Sequence, residues 1–166
     1  MYKVVFDTET TGLDSKQNKL VEIGAVEIDE NNQPTGRIFH VYINPEQDVP
    51  ETAVQIHGLT SEFLADQPTF AAVKDDFLKF IKGKELIAHN LSFDLGFINH
   101  ELGFELKNKM TDTLKLAKKA FPDMRCSLDA LCERFNIDSG KRDSHGALLD
   151  AELLSQVYCK LVQKNK

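Results

Sequence analysis

No apolar run in this 166-residue chain approaches the ~20 residues that a membrane span requires. Its first residues, Met1-Tyr2-Lys3-Val4, lack the charged and then long apolar regions of a secretory leader. Cysteine is scarce and odd in number. Cys126, Cys132 and Cys159 fit no metal-ligand spacing and read as reduced thiols in a cytoplasmic protein. No internal repeat, low-complexity tract or linker interrupts the chain, so one domain over residues 1–166 is expected. A basic excess is missing as well. The net charge of −6 argues against a general nucleic-acid coat protein, which carries a basic footprint. It leaves room for a nucleic-acid enzyme whose acids are neutralised by divalent cations. No glycine-rich phosphate loop and no Gly-x-Ser-x-Gly elbow is present.

What the chain does contain is 42% hydrophobic and 28% charged residues, the balance of a soluble globular protein with a sizeable core. Tyr2–Asp7 reads as a strand with Val4 and Val5 on opposite faces. Leu20–Ile28 alternates, with Val21, Ile23 and Ala25 on one face and Glu22 on the other. The turn-rich stretch Asp29–Gly36 leads to a third strand over Ile38–Ile43. Beyond residue 50 the period becomes helical. Short helices are expected at Glu51–Ile56 and Ser61–Ala65, and a fuller one at Thr69–Lys82. A strand at Glu85–Ala88 precedes a helix that Ser92 would N-cap. Another strand at Met110–Asp112 precedes helices at Thr113–Ala120 and Ser127–Phe135 and a long last one from near Ser144. The order implies an α/β fold: a mixed central sheet, built from a three-strand antiparallel meander plus two further strands, flanked by helices.

Four acids and a histidine stand out at positions where a folding chain would favour neutral groups. Asp7 and Glu9, two apart at the end of an apolar strand, point the same way, about 6–7 Å apart. That spacing lets both reach one cation or a pair, and hard ions such as Mg²⁺ and Mn²⁺ want carboxylate oxygens. A solvated strand end is the structural alternative. Phosphatases that place Asp-x-Asp at such a strand end do not fit, because position 9 is Glu. Asp14–Asn18 has the outline of a Ca²⁺ loop, but the required Gly and terminal Glu are misplaced. Asp150 shares a helical stripe with Leu154, Val157 and Leu161, while Glu152, Ser155 and Cys159 lie opposite. It therefore faces the core, where a carboxylate needs a metal or a buried cation. His145, five residues earlier, would sit about 140° away on a helix. Placed at the helix mouth after a polar loop, with Ser144 or Asp143 as N-cap, it suits a general base better than a ligand. Asp94 falls in a first helical turn, where the macrodipole alone would favour it. His89 and Asn90 are ambiguous, His57 either contacts substrate or caps a helix, and His40, His100 and Asp112 read as structural. The basic residues Lys107, Lys109, Lys115, Lys118, Lys119 and Lys141-Arg142 read as solvated faces with weak affinity for a polyanion.

Asp7 with Glu9, Asp94 after His89-Asn90, and His145 with Asp150 together resemble the DEDDh exonuclease family, whose motifs are Asp-x-Glu, an Asp after a His-Asn stretch, and His-x4-Asp. All five positions are filled, and the similarity spans essentially the whole chain. Phe39–Tyr42, Ser127–Cys132 and Lys141–Ala151 are similar, within that family, to the proofreading subunits of bacterial replicative polymerases. The resemblance implies a ribonuclease H-like fold, with Asp7, Glu9 and Asp150 around two Mg²⁺ or Mn²⁺ ions and Asp94 assisting through water. It implies that Thr8, Thr10, Leu13, His57, Asn90 and Phe93 line a terminal-nucleotide pocket, and that neutral His145 is the general base. The expected reaction is two-metal hydrolysis of single-stranded or mismatched DNA 3′ ends, releasing nucleoside 5′-monophosphates. The alternatives are an RNA-trimming relative and a non-catalytic polymerase- or DNA-binding module. An acidic substrate contact of the family falls near Thr52 here, with Glu51 adjacent. The chain ends at Lys166 without the extension through which such subunits bind a polymerase catalytic subunit, so a trimmed domain and a stand-alone relative are both expected forms.

Overall fold

The strand Lys3–Thr10 (β1) occupies the centre of a five-stranded sheet in the computed structural model, which describes residues 1–140 and 146–166. On one side β1 pairs antiparallel with Leu20–Ile28 (β2), and β2 pairs antiparallel with Pro34–Tyr42 (β3). Three helices follow, Glu51–His57 (α1), Ser61–Ala65 (α2) and Phe70–Ile81 (α3). The strand Glu85–Ala88 (β4) then returns to pair with β1 in parallel, and the helix Leu91–Leu102 (α4) carries the chain over to Met110–Asp112 (β5), parallel to β4. The helices Thr113–Ala120 (α5), Leu128–Arg134 (α6) and Ala147–Lys164 (α7) complete the order. The expected mixed sheet, meander plus two strands, is what forms.

Each face of the sheet has its own core. Val4, Phe6, Ile23 and Ala25 pack with Phe77 of α3 and Phe97 and Ile98 of α4. Val5, Val26 and Ile87 pack with Ala117, Leu131 and the α7 stripe of Leu154, Val157 and Leu161. Val4 and Val5 thus go to opposite cores, as strand alternation requires. β2 departs from the simple alternating picture, because every one of its residues is buried. The sequence reads one side of β2 as polar on account of Glu22, but α7 covers that side, and Glu22 is enclosed with it. Such burial on both faces is the usual condition of central strands in layered α/β folds.

Two helix starts differ from expectation. Ser92 does not cap α4. The cap is Asn90, held left-handed at φ 65°, a conformation Asn tolerates better than most residues and which turns the chain sharply off β4. Asp112 accepts both the Asn90 N–H, at 3.0 Å, and the Leu114 N–H, at 2.9 Å, so one carboxylate holds the starts of α4 and α5. α7 begins at Ala147, not near Ser144, and its cap residue is Gly146. Asp143 and Ser144, the expected caps, lie outside the described residues. On α7, Ser155 is buried although the helical stripe puts it opposite Asp150. It donates to the Glu152 carbonyl at 2.7 Å, beneath the β2–β3 turn.

Candidate active site

β1 delivers its acids by simple alternation. Asp7 and Glu9 point, like Val5, toward the α7 face, and Thr8 and Thr10 point the other way. Opposite Asp7 across the β1–β2 ladder is Gly24. A side chain there would collide with α7, because a Cβ would stand 2.3–2.5 Å from the backbone of Ala147 and Leu148. The missing side chain lets the start of α7 settle onto the sheet beside Asp7, and the first turn then carries Asp150 into place. The result is a cluster in which one carboxylate oxygen each from Asp7, Glu9 and Asp150 lie within 4.8 Å of one another. Asp150 is 4% exposed, which confirms the inward orientation read from its helical stripe.

The fourth acid arrives from the other face. Asp94, in the first turn of α4 and 3% exposed, accepts a 2.5 Å hydrogen bond from Thr8 Oγ1. Thr8 therefore links Asp94 to the strand that carries Asp7 and Glu9. Burial pushes the Asp94 carboxyl up to about 7, even though the Thr8 hydrogen bonds oppose the rise. Asp7 is raised well above the usual carboxylate range by desolvation first, and then by the negative charges of Asp94, Glu9 and Asp150. Asp7 and Asp94, both held up in this way among four clustered acids, make a site built for compensating positive charge. The donors are all oxygens, which fits a hard divalent cation, and a ligand distance of about 2.0–2.1 Å would draw such oxygens around one or two ions.

Beside the cluster opens a cleft of about 320 Å³, lined by Thr8, Thr10, Leu13, Phe93 and, from α1, Thr52, Ala53 and Ile56. Leu13 is 85% exposed and Ile56 52%, an apolar mouth left open in a molecule that buries most such groups. Of the residues expected to line a pocket, Thr8, Thr10, Leu13 and Phe93 are brought together here. His57 and Asn90 are not among the lining residues. His57 is buried, and both ring nitrogens are engaged. Nδ1 accepts the Leu59 N–H at 3.0 Å, which leaves Nε2 to donate to the Thr10 carbonyl at 3.1 Å. Burial lowers its pKa, in keeping with this neutral tautomer. It braces the strand end rather than facing the cleft. Asn90 is exposed and serves as the cap of α4. His89 is likewise occupied, with Nε2 on the Cys126 carbonyl at 2.6 Å and Nδ1 on Thr113 Oγ1 at 2.8 Å. His145, with Lys141 and Arg142, lies outside the described residues.

Ile56, Glu22 and Gly24 are not among the site residues that the sequence points to. A glycine inside an otherwise apolar strand is the usual sign of close backbone approach and was the available signal for Gly24. Glu22 was visible as an acid in an apolar strand, but nothing local to it tells that α7 will cover it.

An end-of-strand acid cluster beside an open cleft, on this mixed sheet, is the arrangement of a metal-dependent nuclease. The family model described as "Exonuclease" (RNase_T) matches residues 4–158, and the chain belongs to that family. Its similarity runs further, to individual proteins. The DNA polymerase III subunit epsilon of Rickettsia felis is 50% identical over 169 residues, covering 96% of this chain and 73% of that protein. The subunit epsilon of Escherichia coli is 46% identical, over 94% of this chain and 69% of that protein. Among solved structures, an exonuclease I from Methylocaldum szegediense superposes with a TM-score of 0.84 at 18% identity, covering 99% of this chain and 41% of that one. Exonuclease X in complex with 5′-overhanging duplex DNA superposes with a TM-score of 0.75 at 23% identity, covering 96% and 90%. The fold is ribonuclease H-like, and the chain is a 3′–5′ exonuclease by family.

Proposed function

We propose that this chain removes nucleotides one at a time from single-stranded or mismatched 3′ ends of DNA, releasing nucleoside 5′-monophosphates, and that it proofreads for a replicative polymerase. The observation that carries the reading is the meeting of Asp7, Glu9 and Asp150, with Asp94 tied in through Thr8, at the edge of an open apolar cleft. Asp7, Glu9 and Asp150 would hold two divalent cations, Mg²⁺ or Mn²⁺, and Asp94 would steady the second through water. Bound there, the cations supply Lewis acidity toward the phosphate and neutralise charge at the leaving oxygen. Asp7 feels the charges of Asp94, Glu9 and Asp150 and would contribute to holding both cations. His145, five residues before Asp150, is assigned the proton of the attacking water, in its neutral form. Leu13, Ile56 and Phe93 give the terminal base apolar faces to stack against, and Thr8 and Thr10 approach its sugar. No covalent intermediate is required.

Residues 1–166 act in this proposal as one catalytic domain of a cytoplasmic protein. With a net charge of −6 the domain has little hold on DNA by itself. A polymerase catalytic subunit is the partner that would keep the primer end within reach. Among the described residues no helix is long and apolar enough to cross a membrane. The test is degradation of end-labelled oligonucleotides with Mg²⁺ or Mn²⁺, on single-stranded DNA, mismatched primer ends and RNA. Shortening from the 3′ end, faster at mismatched than paired termini and stopped by a chelator, is expected. Hydrolysis that survives chelation would exclude the metal reading, and a preference for RNA would move the substrate to the ribonucleases of the family.

A further inference from the structure

α7 carries Asp150 in its first turn, yet its cap residue offers the helix no side-chain hydrogen bond. Gly146 stands at the cap position without a side chain to accept from the first turn. The acceptor comes instead from the middle of the sheet. Glu22 Oε1 takes the Ala147 N–H at 3.1 Å, in a buried contact between residues far apart in the chain. The other oxygen, Oε2, is 2.6 Å from His40 Nε2 on the neighbouring strand β3. Glu22 is 3% exposed, so neither contact competes freely with water. Both of its oxygens are engaged by protein groups, and it sits directly across the ladder from Glu9.

We infer that Glu22, backed by His40, is the positioning residue that seats the start of α7, and with it Asp150, over Asp7. The inference rests on the proposed hydrolysis for its consequence, but not for its geometry. A carboxylate at a helix N-terminus meets the positive end of the macrodipole as well as a free N–H. Here that interaction fixes a place rather than merely stabilising a helix, because the Asp150 N–H bonds back to the Gly146 carbonyl at 3.0 Å. The peptide unit Gly146–Ala147 is thus held by Glu22 on its donor side and holds Asp150 on its acceptor side. Gly24, two residues along β2 on the same face, clears the space that this seating needs. Small displacements of a reacting group cost rates of order 10²-fold, so the seat bears on turnover more than on substrate affinity.

The test compares the intact chain with its Glu22→Ala, Glu22→Gln and His40→Ala variants. It measures amide hydrogen exchange in the metal-free protein, and kcat and KM on single-stranded DNA with Mn²⁺. In Glu22→Ala the Ala147 and Asp150 amides should exchange at least about 10-fold faster while the second half of α7 keeps its protection. kcat should fall roughly 10–10²-fold with KM within about 3-fold. Glu22→Gln retains an acceptor oxygen and should recover most of both losses. His40→Ala should fall between the two. Unchanged exchange at Ala147 and Asp150 would overturn the inference, as would equal effects of Ala and Gln, or a loss of protection spread evenly along α7. Should Glu22→Ala fail to fold, the Gln and His40 variants decide by the same readouts. A wild-type chain without hydrolysis would count against the proposed function alone, since the exchange measurements judge the seat independently.

Discussion

The Asp7 carboxyl has three negative neighbours, Asp94, Glu9 and Asp150, and its ionisation works against all of them. Removing that charge while keeping the shape should relieve the metal-free protein and disable the enzyme at once. Asp7→Asn is expected to melt no lower than wild type in chelator, while exonuclease turnover drops by more than about 10³-fold and the melting shift given by Mn²⁺ shrinks. A variant that melts much lower in chelator would show that the acids are not crowded. His145 belongs to a different kind of prediction, because a base can be lost without losing the ligands. His145→Ala should lower kcat by about 10²–10⁴-fold and leave the Mn²⁺-induced melting shift within a few degrees of wild type. At this scale legibility was uneven. Periods of 2 and 3.6 fix that Asp7 and Glu9 share one side of their strand and that Asp150 faces the core, while the meeting of the three is what the family resemblance implied. The environment of Asp94 was not legible, because the hydrogen bond from Thr8 joins residues far apart in the chain. The surroundings of His57 were not legible for the same reason, its two bonds depending on where Thr10 and Leu59 end up.

Elements place the site through their starts and their points of contact. The N-terminal ends of α4 and α7, which carry Asp94 and Asp150, are each held by a carboxylate from the sheet, Asp112 for one and Glu22 for the other. Gly24→Ala should therefore act on two levels. Its methyl group would meet the α7 backbone, not a yielding side chain, so a loss of about 1–3 kcal/mol in stability is expected together with reduced turnover, measured by denaturant melts and kcat. A neutral outcome would mean that α7 does not sit where the acids require it. Away from the site, β2 is held at its far end by Glu27. Burial alone would raise this carboxyl, but hydrogen bonds from Lys84 and Thr35 and the charges of Lys84 and Arg37 outweigh it and hold the pKa below the ordinary value. A lowered folded-state pKa stabilises above the unfolded value of about 4.3 and stops doing so as pH falls through the folded value. Glu27→Gln should cost roughly 1–3 kcal/mol at pH 7, and the gap to wild type should narrow below about pH 4. A gap independent of pH would remove the charge from the explanation. Element order and strand boundaries were largely legible, because hydrophobic period and turn residues are local signals. Helix caps were not. Asn90 in place of Ser92 and Gly146 in place of Asp143 or Ser144 depend on acceptors, Asp112 and Glu22, that only the folded sheet supplies.

For the molecule as a whole, the acids set a standing cost that a bound cation offsets. Any ligand that binds only the folded state stabilises it by about 2.7 kcal/mol at 100 times its Kd. For a chain of this length that corresponds to a rise of roughly 5–10 °C in Tm, which calorimetry with and without Mn²⁺ would check. A shift absent in wild type, or equally large in Asp7→Asn, would place the ions elsewhere. The same geometry has a consequence for the making and unmaking of the protein. Asp7 and Glu9 stand in the first strand, and Asp150 stands in the last helix. Synthesis runs from the N-terminus, and loops that long close late. A growing or severed polypeptide that has not yet acquired α7 holds three of the four acids, the cleft side of Leu13 and Ile56, and no means to assemble them into a nuclease. On the proposed mechanism such incomplete copies should leave nucleic acid intact, an interlock that comes from topology alone.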